Sequence, residues 1–220
     1  MRVIGTVGLP GSGKGEAAAV AREEGVPVVV MGDVIREACR ERGLDPAEHH
    51  GEVARALREE GGPDAIAARS LPRVEAALDD GGTVLVDGLR SPAEVDRFEA
   101  AFGDAFVVVS VEAPFEVRVA RLAERGRDAS DADREALRDR EARERGFGMD
   151  EVMADADVRI RNAGSLDSFR ERVRRLLREG PAALADGDGG AGGSDPAPDG
   201  DGPDAGGAAD TDGPAPGDGS

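Results

Sequence analysis

A glycine-rich run, Gly8-Leu9-Pro10-Gly11-Ser12-Gly13-Lys14-Gly15, follows the apolar segment Val3-Ile4-Gly5-Thr6-Val7 and precedes an alanine-rich, helix-prone stretch. This order of strand, glycine loop and helix constrains the fold more than any other feature of the chain. The glycines let backbone N–H groups converge on an anion, the helix N-terminus adds partial positive charge, and Lys14 reaches a terminal phosphate. The loop reads as a phosphate cradle. Among the 28 basic residues Lys14 is the only lysine, so a composition that otherwise avoids lysine has kept one here. The pattern departs from its common form at one place. Gly15 and then Glu16 follow the lysine, where Ser or Thr usually supplies a magnesium ligand.

Further along, Val26 to Met31 reads as a second, fully buried strand, after a first helix predicted from Glu16 to Glu24. Thr83-Val84-Leu85-Val86 is a third, Ala105 to Val111 a fourth and Val158 to Ile160 a fifth, all separated by helical stretches. Apolar strands alternating with helices imply an α/β fold: a five-stranded parallel sheet covered on both faces, with ligands bound beyond the strands' C-terminal ends. Gly8, Asp33, Asp87 and Asn162 fall at those ends. Between strands two and three, residues 34–78 form a helical insertion too long for a simple crossover, with breaks expected at Gly43, at Gly61-Gly62-Pro63 and at Pro72. It reads as an arm over a substrate. His49 and His50 lie in it without a carboxylate or cysteine at ligand spacing, and are expected on the surface.

Asp87 closes its strand where an acid serves the metal or water on the phosphates, although an aspartate capping a turn has the same appearance. Asp33 and Arg36, three apart at a helix start, offer a base and a phosphate clamp, or equally a helix cap and a surface arginine. Arg118, Arg121 and Arg125 share a helical face, with Arg127 beyond. Fixed guanidinium forks suit a transferring phosphoryl group, and Arg121 and Arg125 are the candidates preferred. A solvated amphipathic helix is the competing reading. The run from Asp133 to Arg145 alternates in sign and is expected to be an exposed, salt-bridged helix.

Composition sets the remaining bounds. Residues 180–220 are almost entirely Gly, Ala, Asp and Pro, with nine Asp and no Lys or Arg; such a segment cannot offset its ordering entropy and reads as a disordered acidic tail behind a domain spanning residues 1–179. The net charge of −18 disfavours nucleic acid and anionic membranes as partners. With lysine nearly absent, it suggests a halophilic protein. A single cysteine, Cys39, excludes an internal disulfide, and the lack of a signal peptide or long apolar run predicts a cytoplasmic chain.

Three segments together, Gly8 to Gly15, Gly32-Asp33-Val34-Ile35-Arg36 and Asp87-Gly88-Leu89-Arg90, resemble the nucleoside monophosphate kinases, adenylate kinase above all. The stretch Ala156 to Leu166 resembles the closing strand and turn of dephospho-coenzyme A kinases. Taken whole, residues 1–178 are similar to an archaeal group of P-loop kinase-like proteins between the two. The resemblance implies the P-loop nucleoside triphosphate hydrolase fold, ATP and Mg2+ as cofactors, and a short arginine lid at about 118–132. On it, Gly8 to Glu16 and Asn162 would hold the donor nucleotide, Lys14 its phosphates, and Asp87 the magnesium shell. Arg36 and Arg90 would grip the acceptor's phosphate. This chain departs from adenylate kinase at Glu16 in place of Thr, and at Glu94 near an adenine-reading Gln. The expected activity is phosphoryl transfer to a nucleoside monophosphate or dephospho-coenzyme A. The alternative is a nucleotide-binding ATPase switch acting on a partner protein. The oligomeric state stays open.

Overall fold

A computed structural model describes residues 1–125 and 134–185. Its frame is one parallel sheet of β1 (Arg2–Val7), β2 (Val28–Val30), β3 (Thr83–Asp87), β4 (Phe106–Glu112) and β5 (Val158–Arg161), in the order β2-β3-β1-β4-β5. The chain thus has the α/β, five-stranded parallel fold expected of it. Pairing sets Thr6 beside Asp87 and Val30 beside Asp87 on the other side, and aligns Val7 with Ser110. The ends of β1, β2 and β3 therefore come out together.

The apolar runs divide between two cores with the strand period of two. Val3, Val84, Val86, Phe106 and Val108 face one core; Ile4, Leu85, Val107, Val109 and Ile160 face the other. On the first face lie α2 (Met31–Glu41), α3 (Pro46–Gly61), α4 (Ala65–Gly81), α5 (Pro92–Phe102) and α8 (Met149–Ala154). The second face is covered by α1 (Lys14–Glu23), α9 (Leu166–Glu179) and the short α10 (Ala182–Ala185), whose Leu184 is buried. A helix α6 (Phe115–Arg125) follows β4, and α7 (Arg134–Arg145) precedes α8.

Two expectations are corrected. Pro72 does not break the arm: it sits exposed inside α4 between buried Leu71 and Val74, whose packing holds the helix together. The cost of one missing N–H is confined to the solvent side. Nor is α7 a wholly exposed helix. Leu137, Glu141 and Glu144 are buried along one face at spacings of four and three, and arginines neutralise the carboxylates, Arg118 meeting Glu141 and Arg140 lying 3.5 Å from Glu144.

Of the expected lid, residues 126–132, including Arg127, lie outside the described residues, as do residues 186–220 of the expected tail.

Candidate active site

The phosphate loop takes its shape from three left-handed glycines, with φ of +153° at Gly8, +78° at Gly11 and +117° at Gly13, a conformation that costs L-residues with side chains. Each is also closely covered. A Cβ at Gly13 would overlap Nδ2 of Asn162, one at Gly8 the carbonyl of Val111, and one at Gly11 would lie 2.8 Å from the Arg118 carbonyl. Among the described residues, the amides of Gly11, Gly13, Lys14 and Gly15 have no backbone partner. Ser12 Oγ is buried without any hydrogen bond. Donors gathered at the start of a ten-residue helix, with an orphaned hydroxyl among them, suit a polyphosphate.

The loop is locked from behind by residues of β5 and α6. Asn162, buried just past β5, donates from Nδ2 to the Ser12 carbonyl at 2.8 Å and accepts from Arg121 at 3.1 Å. Arg121 also donates to the Ser12 carbonyl at 3.4 Å. Arg118 is buried and donates to the carbonyls of Pro10 and Ala113 as well as to Glu141. Two of the expected lid arginines thus hold the loop itself; Arg125 ends α6.

Glu16, in the first turn of α1, is met by Arg170 of α9, with Nε 2.6 Å from Oε1. A protein cation therefore offsets the charge that this carboxylate brings to the loop. Leu9, Pro10 and Gly15 complete the loop, and a Cβ at Gly15 would meet nothing within 4 Å.

Lys14 Nζ donates to the carbonyls of Gly8 and Leu9. Burial lowers its pKa from 10.5 to about 8; Asp87 and Glu144 oppose the shift, while Arg90 and Arg140 add to it. Across from it, Thr6 Oγ1 donates to Asp87 Oδ1 at 3.1 Å. The chain then turns: Gly88 at φ +108° and Leu89 both donate backbone N–H groups to the Thr6 carbonyl, at 3.3 and 3.0 Å. Leu89 fills the space that a side chain at Gly5 would need, since a Cβ there would come 2.5 Å from Leu89 Cδ1. This anchoring presents Arg90. Its own N–H donates to Glu94 Oε2 at 2.8 Å, while Glu94 Oε1 takes Arg58 of α3 at 3.1 Å. Burial raises the Glu94 pKa against the lowering effect of Arg58.

Lys14, Arg36, Asp87 and Arg90 are brought together as walls of one cleft of about 610 Å³. Asp33 is not on that wall: its exposed carboxylate accepts from Arg36 at 2.9 and 2.5 Å. Three residues unexpected from the sequence join the cleft, His50 of α3 and Arg140 and Glu144 of α7. His50 is thus not a simple surface residue. Burial and then the charges of Arg90 and Arg36 lower its pKa, against a hydrogen bond to the Gly32 backbone. A sequence signal existed in each case: His50 sits one turn after the helix-starting Pro46, and Arg140 and Glu144 are an i,i+4 pair on the face of Leu137.

A magnesium ion bound with a triphosphate asks little of the protein, since it keeps phosphate oxygens and water as ligands. Asp87 fits as its one carboxylate. Among the described residues no cluster of three potential ligands offers a self-contained metal site. No helix of the described residues is long and apolar enough to cross a membrane.

Comparison with known proteins agrees with this geometry. The model of the AAA domain family matches residues 7–138, from the end of β1 into α7. A UPF0200 protein of Halobacterium salinarum is 62% identical over 177 residues, covering 80% of this chain and 93% of that protein. One from Methanothrix thermoacetophila is 49% identical over 183 residues, covering 81% and 98%. Among solved structures, shikimate kinase from Bacteroides thetaiotaomicron superposes with a TM-score of 0.55 at 19% identity, covering 80% of this chain and 98% of that one. TT1252 from Thermus thermophilus gives 0.55 at 23% identity, covering 81% and 97%. The structural likeness speaks for the fold, and the sequence likeness for the lineage: the chain belongs to the archaeal UPF0200 family and carries an AAA-type P-loop domain.

Proposed function

We propose that this chain is an ATP- and magnesium-dependent phosphotransferase whose acceptor is a small anionic molecule held in the cleft beside the phosphate loop. The observation that carries the reading is the continuity of the two halves. Lys14 belongs both to the glycine cradle and to a cleft walled by Arg36, Arg90, Arg140 and Asp87. A nucleotide switch needs the cradle; the arginine-walled room next to it is what a second, phosphate-bearing substrate needs.

Bound Mg-ATP supplies the activated phosphoryl group. The loop amides and Lys14 hold its phosphates, Asp87 serves the metal, and Arg121 and Asn162 keep the loop in its receptive form. Arg36, steadied by Asp33, and Arg90 orient the acceptor, so that catalysis rests on positioning and positive charge. An acceptor oxygen forms its bond to the γ-phosphorus as the bond to the β–γ bridging oxygen breaks, and ADP departs with that electron pair. A phosphate acceptor needs no base; a hydroxyl acceptor gives its proton to His50, which faces the same cleft. The domain of residues 1–179 carries this activity, with the arm of residues 34–78 as the acceptor wall.

The test is acceptor-dependent ADP formation from Mg-ATP by the full chain in high salt. Nucleoside monophosphates, dephospho-coenzyme A, and phosphorylated and carboxylated small molecules form the panel. Turnover with one of them, and its loss in Lys14→Met, is the expected result. ATP binding with hydrolysis indifferent to every acceptor would overturn the reading in favour of a switch.

A further inference from the structure

The cleft differs in charge from the rest of the molecule. Its walls hold four cations, Lys14, Arg36, Arg90 and Arg140, against two carboxylates, Asp87 and Glu144, on a chain with 46 acidic and 28 basic residues. Several arginines elsewhere meet carboxylates, as Arg42 meets Glu60 and Arg174 meets Glu24. Arg90 does not: half-buried, it has no ion pair among the described residues. Its backbone N–H is fixed by Glu94, which sets where this arginine leaves the chain at the cleft wall. A guanidinium without a carboxylate partner at a cleft wall is suited to take an anion there.

The same walls lack what a nucleobase requires. Among the described residues, His50 is the only aromatic ring that lines the cleft and no Ser, Thr, Asn or Gln does; the uncharged lining is otherwise made of groups such as Val30, Leu89 and Met149. A base edge there would meet charged side chains alone and its face one imidazole, whereas the same guanidinium groups match a phosphate or carboxylate in both charge and geometry. Glu94 cannot serve, because Arg58 and the Arg90 N–H take its two oxygens.

Deepening the phosphotransferase reading, on which it rests, we propose that the acceptor is a small polyanion with a non-aromatic body, bound through phosphate or carboxylate groups by Arg90 and Arg36 and contacted by His50, and that it is not recognised through a nucleobase. The imidazole suits this position. Burial, with the cations Arg90 and Arg36 beside it, favours the neutral form, which offers a hydrogen bond without adding to the repulsion among the arginines.

Titration calorimetry on the full chain tests the assignment in two steps. A non-hydrolysable Mg-ATP analogue is bound first. Three sets of probes follow: glycerol 3-phosphate and a sugar bisphosphate; malate and citrate; and AMP, CMP, UMP and dephospho-coenzyme A. A member of the first or second set binding about tenfold tighter than every base-bearing compound is expected, the winning set telling phosphate from carboxylate recognition. Arg90→Gln is expected to weaken that probe by about tenfold and His50→Asn by a smaller factor. Two variants on separate elements guard against a folding defect in either. A base-bearing compound binding tightest, no probe binding, or unchanged affinity in Arg90→Gln would each overturn the proposal. Failure of the analogue alone, with Arg90-dependent anion binding intact, would sink the assigned donor and uphold the acceptor class.

Discussion

Lys14 is the residue at which loop, cleft and charge meet. With its pKa near 8, it is only about half charged at pH 8, and a bound phosphate favours the charged form. Binding of Mg-ATP is therefore expected to take up protons above about pH 8, and affinity to fall as pH rises beyond that value. Calorimetry in buffers of different ionisation enthalpy measures the uptake, which should vanish in Lys14→Met. Stability without ligand runs the other way. Because the folded pKa lies below the ordinary 10.5, the unfolded chain holds the extra proton between about 8 and 10.5, so this group adds stability as pH rises through that window. Comparing denaturant midpoints of wild type and Lys14→Met across the window isolates its contribution; equal slopes would refute the account.

At the scale of elements, α1 and α9 are joined by a ladder of ion pairs that steps along both helices. Arg170 meets Glu16 and Glu23, Arg174 meets Glu23 and Glu24, and Arg178 meets Glu24. Its first rung touches the phosphate loop. Arg170→Ala is expected to leave Glu16 uncompensated and weaken Mg-ATP binding roughly two- to fivefold at low salt, as suits a partly exposed pair. The double variant with Glu16→Ala should recover the loss. An additive double-mutant cycle would show that the rung has no bearing on the site. This ladder also illustrates what the sequence hides. Strands such as Val84-Leu85-Val86 were legible because burial on both faces leaves a continuous apolar run, and the glycine loop because few other uses demand its spacing. A carboxylate neutralised by an arginine 154 residues away leaves no local trace. Glu141 and Glu144 likewise look solvated by hydropathy, yet are buried because Arg118 and Arg140 accompany them. His50 reads as a surface residue in the sequence for a topological reason: its place in the cleft comes from Gly32 and Arg90, which only the folded arm brings near it.

For the whole molecule the governing quantity is the charge of −18. Arginines such as Arg42, Arg118, Arg170 and Arg174 are already paired, so added salt screens mainly the surplus of carboxylates. The melting temperature is expected to rise between about 0.1 M and about 1 M KCl, as the Debye length falls from roughly 10 Å to roughly 3 Å. A melting temperature that falls over this range would mean that the ion-pair ladder outweighs the repulsion. The molecule's connectivity bears on its birth as well. The lock on the phosphate loop is Asn162, which bonds Ser12 across 150 residues of chain. During synthesis the glycine loop leaves the ribosome 150 residues ahead of Asn162. A nascent chain therefore has no finished nucleotide site until almost all of the domain has been made, and ATP added to stalled chains should protect them from protease only once residue 162 is clear of the tunnel.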